Sequence, residues 1–197
     1  MLKNKRVFEA NIDSGGAFGD LPEWDLSDLY TGEDAPELQR DLDWTRSACE
    51  SFSNDYEGKL TSLDASGLLE AVQRYEAIDV VAGRIMSFAG LRYYQVTSDT
   101  GRAKFMSDMQ DQLTKITTPL VFYGLEFNRI DEKSLKSLIN QSNDLARYKP
   151  VFDRMRAMKP YQLSDELEKF LHDQSVIGAS AWNRLFDETV AGLVFYI

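Results

Sequence analysis

Few side chains in this sequence combine the residue types and spacing that metal chemistry requires. The single histidine, His172, follows Glu168 by one helical turn, so both side chains could reach one metal ion. A protein zinc site uses three or four ligands, and two solvent-facing polar residues would produce the same spacing. We therefore interpret Glu168 and His172 as part of an ordinary polar helix surface.

The single cysteine, Cys49, offers a second chemistry, that of a reactive thiol. A reactive thiol needs a neighbouring group that lowers its pKa, and the local pattern places no His or Lys beside it. Cys49 instead falls at helical spacing among apolar residues, which predicts a buried packing role. One cysteine also excludes an internal disulfide and a cysteine-cluster zinc site.

Paired carboxylates could act as an acid and a base, and Asp187 and Glu188 are adjacent. Neighbouring positions on a helix point in different directions, so these two are poor acid–base partners. The sequence also lacks the His-Glu-x-x-His, Walker, Rossmann-glycine and Gly-x-Ser-x-Gly motifs. We predict that this chain contains no catalytic, cofactor-binding or metal-binding residue.

Charge and hydropathy narrow the possible partners. The 197 residues carry a formal net charge of −10, which argues against binding to nucleic acid and to anionic membrane surfaces. No apolar run approaches the ~20 residues of a membrane span. Lys3, Lys5 and Arg6 are not followed by the apolar core of a signal peptide. We expect a cytoplasmic protein.

The elements that would position any site are long amphipathic helices. We predict a first helix from Pro36 to Gly58, and a third that runs from the 97–99 capping cluster to about Asn128 with a kink at Pro119. Both carry apolar stripes at alternating spacings of three and four, typical of bundle seams. The stripes are Leu38, Leu42, Thr45, Cys49, Phe52 and Tyr56, and Met106, Met109, Leu113, Ile116, Leu120, Tyr123 and Phe127.

A second helix is predicted from Asp64, its N-cap, to about Val96. Small residues interrupt its apolar pattern at 82–83 and 89–90. A hinge would explain them, and so would the close approach of another helix, which we favour. The segment Trp24–Tyr30 has unusually many large apolar side chains for a loop, and we expect it to pack across the helices as a clamp.

Shorter helices follow. One begins after Asp131, and another spans Leu145 to about Met158, with Pro150 starting or bending its main part. The basic residues of this region are interpreted as a solvated face paired with acids, although a substrate-carboxylate or partner site is also possible. They are Arg147, Lys149, Arg154, Arg156 and Lys159, and the side chains predicted to point inward are Tyr148, Val151, Phe152 and Met155.

The last stretch, 163–197, predicts a helical hairpin joined at Gly178, which is expected to take positive φ. Its apolar sides are Leu167, Phe170 and Leu171, then Trp182, Leu185, Phe186, Val190 and Leu193; the face from Trp182 to Thr189 is expected to dock on neighbouring helices. Leu193–Ile197 is rich in β-formers and predicts the start of a strand. The fold class is therefore an all-α antiparallel bundle or shell, with a flexible tail at 1–20 and a helical domain at 21–197.

Specific stretches resemble the oligoendopeptidase F family, a group of thimet-oligopeptidase-like zinc metallopeptidases. They are WDLSDLY (Trp24–Tyr30), AGLRYYQVTSDT (Ala89–Thr100) and the closing stretch from Lys159, above all Ser180–Trp182 and Leu185–Thr189. None of these motifs is catalytic. They therefore indicate lineage more strongly than activity.

The resemblance implies that this chain is the N-terminal, channel-wall and lid region of an enzyme about three times as long. Such enzymes hydrolyse oligopeptides inside a helical shell, with zinc held by a distal His-Glu-x-x-His helix and a later Glu. On this resemblance zinc binds outside this chain, and the chain alone is inactive. It would self-associate through exposed apolar surface near Trp182, Phe186 and 194–197. The alternative function is a noncatalytic helical protein-interaction module.

Overall fold

The structure, a computed structural model, describes residues 23–193. The predicted all-α class is confirmed, since the described residues form helices joined by short turns and no strand. None of these helices is both long and apolar enough to cross a membrane. The α-helices are α1 (Pro36–Tyr56), α2 (Ala65–Gln95), α3 (Thr100–Thr117), α4 (Val121–Phe127), α5 (Glu132–Gln141), α6 (Asn143–Arg147), α7 (Lys149–Met158), α8 (Asp165–Gln174) and α9 (Ala179–Ala191).

Helices α1, α2 and α3 pack against one another and form the body of the bundle. The antiparallel direction of α1 and α2 follows from two ion pairs. Asp41, early in α1, meets Arg84, late in α2, whereas Asp55, late in α1, lies 2.8 Å from Arg74, early in α2. The predicted α1 stripe is confirmed, because all six of its residues are buried.

The core is unusually aromatic around Phe52, whose side chain is fully buried. Its ring lies 6.0 Å from that of Tyr75 in α2, and 5.8 and 5.6 Å from those of Phe122 and Tyr123 in α4, measured between centroids. Tyr75 and Tyr123 also stack on each other at 4.3 Å. Aromatic pairs of this kind add about 0.5–1.5 kcal/mol each beyond the area they bury.

Local sequence signals place the helix boundaries. Asp64, Asp99 and Asp131 cap α2, α3 and α5 by accepting backbone N–H groups of the first turn. The sequence predicted one helix with a kink at Pro119, and the structure instead has a 3₁₀ turn, Thr118–Leu120, that separates α3 from α4. Proline cannot donate the helical hydrogen bond, so the turn tightens at this point.

The predicted clamp also forms in the part that the structure describes. Tyr30 is buried, packs edge-to-face on Phe88 at 5.3 Å and donates its hydroxyl to Asp41 at 2.5 Å. The carbonyl oxygen of Trp24 accepts a hydrogen bond from Gln95 at 3.0 Å. The start of the described chain is thus tied to both α1 and α2.

Several detailed expectations are wrong. Gly83 is exposed, and a Cβ there would meet no described residue within 4 Å, so none of the described helices approaches it. Helix α2 also runs through this position without a break. At Gly90, a Cβ would lie 4.0 Å from the sulfur of Met106 in α3, so a side chain of α3 packs over this position. Val151 is exposed because it lies on the outer side of α7. Gly178 has φ −90°, since the α8–α9 connection closes with helix-like turns.

Two expectations fall on residues that lie outside the described part of the chain. The flexible tail at 1–20 is one. The other is the C-terminal strand, of which only Leu193 is described, after the end of α9. Both stay predictions.

The turn after α1 depends on a carboxylate from α4. Glu126 is buried and accepts the backbone N–H of Gly58 at 2.6 Å and that of Leu60 at 3.3 Å. Gly58 has φ +79°, a conformation that costs other residues roughly 1–2 kcal/mol. Glu126 therefore fixes the α1–α2 connection against α4, although Gly58 and Leu60 precede it by 68 and 66 residues in the sequence.

This arrangement predicts that Glu126→Gln destabilises the protein by about 1–3 kcal/mol, because the new NH₂ group cannot accept from a buried N–H. The measurement is chemical denaturation followed by circular dichroism. The matched control is Glu132→Gln on the exposed side of α5, which should change stability by less than about 0.5 kcal/mol. Equal effects of the two substitutions would contradict the role given to Glu126.

Candidate functional site: an exposed apolar face on α8 and α9

Helices α8 and α9 present their apolar sides to solvent. Trp182 is 70 % exposed and Phe186 is 67 % exposed, although both are large hydrophobic residues. Large apolar side chains that cluster on an exposed surface usually mark an interaction site. We call it the α8–α9 apolar face, and its members are Leu167, Phe170, Leu171, Trp182, Leu185, Phe186 and Val190.

The polar side of α8, not its apolar side, contacts the bundle. Asp165 pairs with Arg129, which follows α4, and Lys169 pairs with Glu57 at 3.3 Å. Asp173 accepts a hydrogen bond from the Thr118 hydroxyl at 2.7 Å. The positions 165, 169 and 173 are spaced four apart, so they share one side of the helix. Docking by this side leaves the apolar face outward.

Helix α9 is oriented in the same way. Arg184 donates to the Ser107 hydroxyl of α3 at 2.9 Å. Ser180, Arg184 and Asp187 are only partly exposed, whereas Trp182 and Phe186 point to solvent. The expectation that the Trp182–Thr189 face docks on neighbouring helices is therefore wrong. The expectation that Trp182 and Phe186 are exposed is confirmed.

The two possible metal ligands, Glu168 and His172, each make a hydrogen bond with a different partner in the structure. Glu168 accepts the backbone N–H of Leu163 at 2.8 Å, and the side chain of Ser164, the N-cap residue of α8, makes no capping hydrogen bond. The Nε2 atom of His172 lies 3.1 Å from the carbonyl oxygen of Thr114. Since a carbonyl only accepts, this contact assigns a hydrogen to Nε2. Within residues 23–193 no group of three or more potential ligands could hold a metal ion.

His172 also lines a cavity of about 340 Å³ between α2, the Thr118–Leu120 turn and α8. Tyr75, Asp79 and Thr117 line it too, and the Thr117 hydroxyl lies 3.3 Å from Nε2 of His172. The single histidine therefore attaches α8 to the end of α3. Its role in the described structure is to position the α8–α9 apolar face.

Cys49 is fully buried, and burial raises the pKa of its thiol to about 11. A thiol with so high a pKa is a poor nucleophile near neutral pH. The predicted packing role is consistent with this environment. No cationic group is among the causes that shift its pKa, which are burial and the charge of Glu50.

Arg156 is a residue whose role the sequence did not reveal. Its guanidinium donates to the carbonyl oxygens of Asn128 at 2.8 Å and Ile130 at 2.5 Å, and lies 5.3 Å from the centre of the Phe127 ring. Burial lowers the pKa of Arg156. The prediction of a solvated basic face is therefore wrong at this position. The sequence signal that could have revealed this role is its position four residues after Phe152, which places both side chains on the same side of the helix.

Together these features define a helical scaffold, and the last two helices of the described residues, α8 and α9, expose large apolar side chains. A family model described as Oligopeptidase F matches residues 126–195, the segment from the end of α4 through α9. Over 162 residues the chain is 25 % identical to Oligopeptidase PepF of Bacillus subtilis (strain 168), a match that covers 80 % of this chain.

The fold is similar to that of a crystal structure of oligoendopeptidase-F from Enterococcus faecium. The TM-score is 0.67 at 17 % sequence identity, over 77 % of this chain. The chain spans 23 % of the length of the Bacillus subtilis relative and 29 % of the Enterococcus faecium chain. These comparisons support the predicted resemblance to the oligoendopeptidase F family, and the structural match shows a similar fold.

The environment of Cys49 predicts slow reaction with a thiol reagent in the native state. A rise in thiol pKa from 9.0 to about 11 lowers the thiolate fraction about 100-fold, and burial slows the reaction further. The measurement is the rate of modification by a disulfide reagent at pH 8, with the protein in denaturant as the control. Native and unfolded rates within a factor of about two would contradict the buried environment.

Proposed function

We propose that this chain is the N-terminal, channel-wall and lid region of a zinc-dependent oligoendopeptidase. The observation that carries the proposal is the α8–α9 apolar face. It lies within residues 126–195, the segment that matches the Oligopeptidase F family, and its members are large and exposed. In the proposed enzyme this face is covered by the part of the peptidase that follows it.

Covering the exposed apolar side chains of this face would stabilise the contact with the rest of the enzyme. Full burial of one side chain the size of Leu or Phe contributes about 1.5–3 kcal/mol. Several such side chains on two adjacent helices are enough to hold two parts of one protein together. The polar contacts of Asp165, Lys169 and Asp173 hold α8 against the bundle. The hydrogen bond from Arg184 to Ser107 holds α9, so the apolar side of each helix stays turned outward.

In this proposal the chain selects and encloses substrate, and it supplies no group to the reaction. Zinc, bound outside the chain, would activate a water molecule for attack on a peptide carbonyl. The helical shell would admit oligopeptides and exclude folded proteins. Neither Glu168 nor His172 is assigned to the metal, because each has another partner in the structure.

The second candidate function is a noncatalytic helical interaction module. The same face favours it, since an apolar groove or ridge on helices can receive an amphipathic partner helix. The coding sequence that follows Ile197 distinguishes the two. A His-Glu-x-x-His motif there supports the peptidase, and a stop codon directly after Ile197 supports the module.

The peptidase proposal predicts that the protein made from its complete coding sequence cleaves a quenched fluorescent oligopeptide, and that the chain 1–197 does not. A chelator should abolish cleavage and added zinc should restore it. Zinc-dependent cleavage by the chain 1–197 alone would contradict the proposal, and so would a complete protein without zinc-dependent activity.

The same face predicts association between copies of the isolated chain, because no other residue within 23–193 covers it. Analytical ultracentrifugation should show a concentration-dependent rise in mass. Replacing Trp182 and Phe186 with Asp should weaken association at least about tenfold, which corresponds to about 1.4 kcal/mol. The matched control is Val80→Asp, at a residue of α2 that is 65 % exposed and lies outside the face. A strictly monomeric chain at high concentration would contradict this prediction.

A further inference from the structure

Charged side chains are divided unequally between the two sides of α8 and α9. The only Lys and Arg residues of these two helices, Lys169 and Arg184, face the bundle. Lys169 pairs with Glu57 at 3.3 Å. Arg184 donates to Ser107 at 2.9 Å. Both cations are therefore directed away from the α8–α9 apolar face. The acidic residues of the two helices are Asp165, Glu166, Glu168, Asp173, Asp187 and Glu188.

Three of these acids lie beside the apolar side chains. Glu166 shares a side of α8 with Phe170, four positions later, and Glu188 shares a side of α9 with Leu185, three positions earlier. Both of these glutamates are exposed. Glu168 is partly exposed and lies on the other flank of α8, because two positions on a helix differ by about 200°. We call Glu166, Glu168 and Glu188 the acidic rim of the face.

The acidic rim has little compensating positive charge among residues 23–193. Glu166 makes no ion pair with a described residue, and Glu168 accepts only the backbone N–H of Leu163, at 2.8 Å. Glu188 lies 4.0 Å from Arg184, whose guanidinium also donates to Ser107. The charge of Glu188 is therefore only partly offset. The described apolar face is bordered by net negative charge.

This border selects the chemistry of the surface that covers the face. Here we rely on the proposed function, in which the part of the enzyme that follows this chain covers it. The relatives contain such additional chain, since this chain spans 23 % and 29 % of their lengths. Covering the face removes water from the neighbouring carboxylates, which is costly unless a cation or a hydrogen-bond donor replaces that water. Lys and Arg side chains supply both.

We propose that the α8–α9 apolar face docks onto a surface of the following part of the enzyme that has an apolar centre and a rim of Lys and Arg. The apolar centre supplies most of the affinity, and the cationic rim supplies specificity and a faster association. A second copy of this chain would bring another acidic rim to the contact. Copies therefore associate more weakly than the face associates with a cationic apolar surface.

The test measures binding of three dye-labelled peptides to the chain 1–197 by fluorescence anisotropy, at a concentration below that at which copies associate. Each peptide is about 18 residues long, or five helical turns. The first has a leucine stripe at spacings of three and four, flanked by Lys. The second has the same stripe flanked by Glu, and the third has the composition of the first in scrambled order.

We expect the Lys-flanked peptide to bind at least about tenfold tighter than either of the others, because only it matches both the face and the acidic rim. The scrambled peptide controls for general attraction to a chain of net charge −10. Equal binding of the Lys-flanked and Glu-flanked peptides would overturn the cationic rim. Equal binding of the Lys-flanked and scrambled peptides would overturn docking on the apolar face.

Variants locate the contact. Glu166→Gln combined with Glu188→Gln should weaken binding of the Lys-flanked peptide at least about fivefold, since two of the opposing charges are lost. The charge-matched control combines Glu50→Gln on α1 with Glu132→Gln on α5, which are exposed and outside the face, and should change binding less than about twofold. Trp182→Ala should weaken binding without changing the charge. Equal effects of the two double variants would overturn the role of the acidic rim.

Salt provides a second readout with opposite signs for the two kinds of contact. Raising NaCl from about 50 mM to about 500 mM should weaken binding of the Lys-flanked peptide and strengthen association of copies, because it screens attraction in one and repulsion in the other. Tighter peptide binding at high salt would contradict the inference. These measurements use the isolated chain and need no peptidase activity. A complete protein without zinc-dependent cleavage would therefore contradict the proposed function alone, and equal binding of the Lys-flanked and Glu-flanked peptides would contradict this inference alone.

Discussion

The packing of Phe52 between three helices is the interaction on which the rest of the structure depends. Its ring, contributed by α1, meets Tyr75 of α2 and Phe122 and Tyr123 of α4. The end of α4 then supplies Glu126, whose carboxylate holds the α1–α2 connection. Because α8 docks on α4 and on the turn before it, the position of the α8–α9 apolar face follows from this aromatic centre.

The sequence predicted the bundle well because its signals are local. The caps at Asp64 and Asp99, the proline turn at Pro119 and the buried α1 stripe each depend on a few neighbouring residues. Contacts between distant segments left no such signal. The bonds from Glu126 to Gly58, and from Arg156 to the carbonyl of Ile130, join residues that only the complete fold brings together.

The orientation of α8 and α9 shows the limit of periodicity most clearly. An amphipathic pattern tells which residues share a side of a helix, and it is usually assumed that the apolar side faces the core. Here Asp165, Lys169 and Asp173 face the bundle, and Phe170 and Trp182 face solvent. The apolar side of each helix forms part of the proposed docking face, and the polar side attaches the helix to the bundle.

In the proposed enzyme the α8–α9 apolar face is solvent-exposed in the isolated chain and covered in the complete protein. Hydroxyl-radical footprinting read by mass spectrometry tests this difference directly, at a concentration below that at which copies associate. We expect Trp182 and Phe186 to be modified rapidly in the isolated chain, in contrast to buried Phe52, and to be strongly protected in the complete protein. Protection of both residues in the isolated chain, or equal modification in the two proteins, would contradict it.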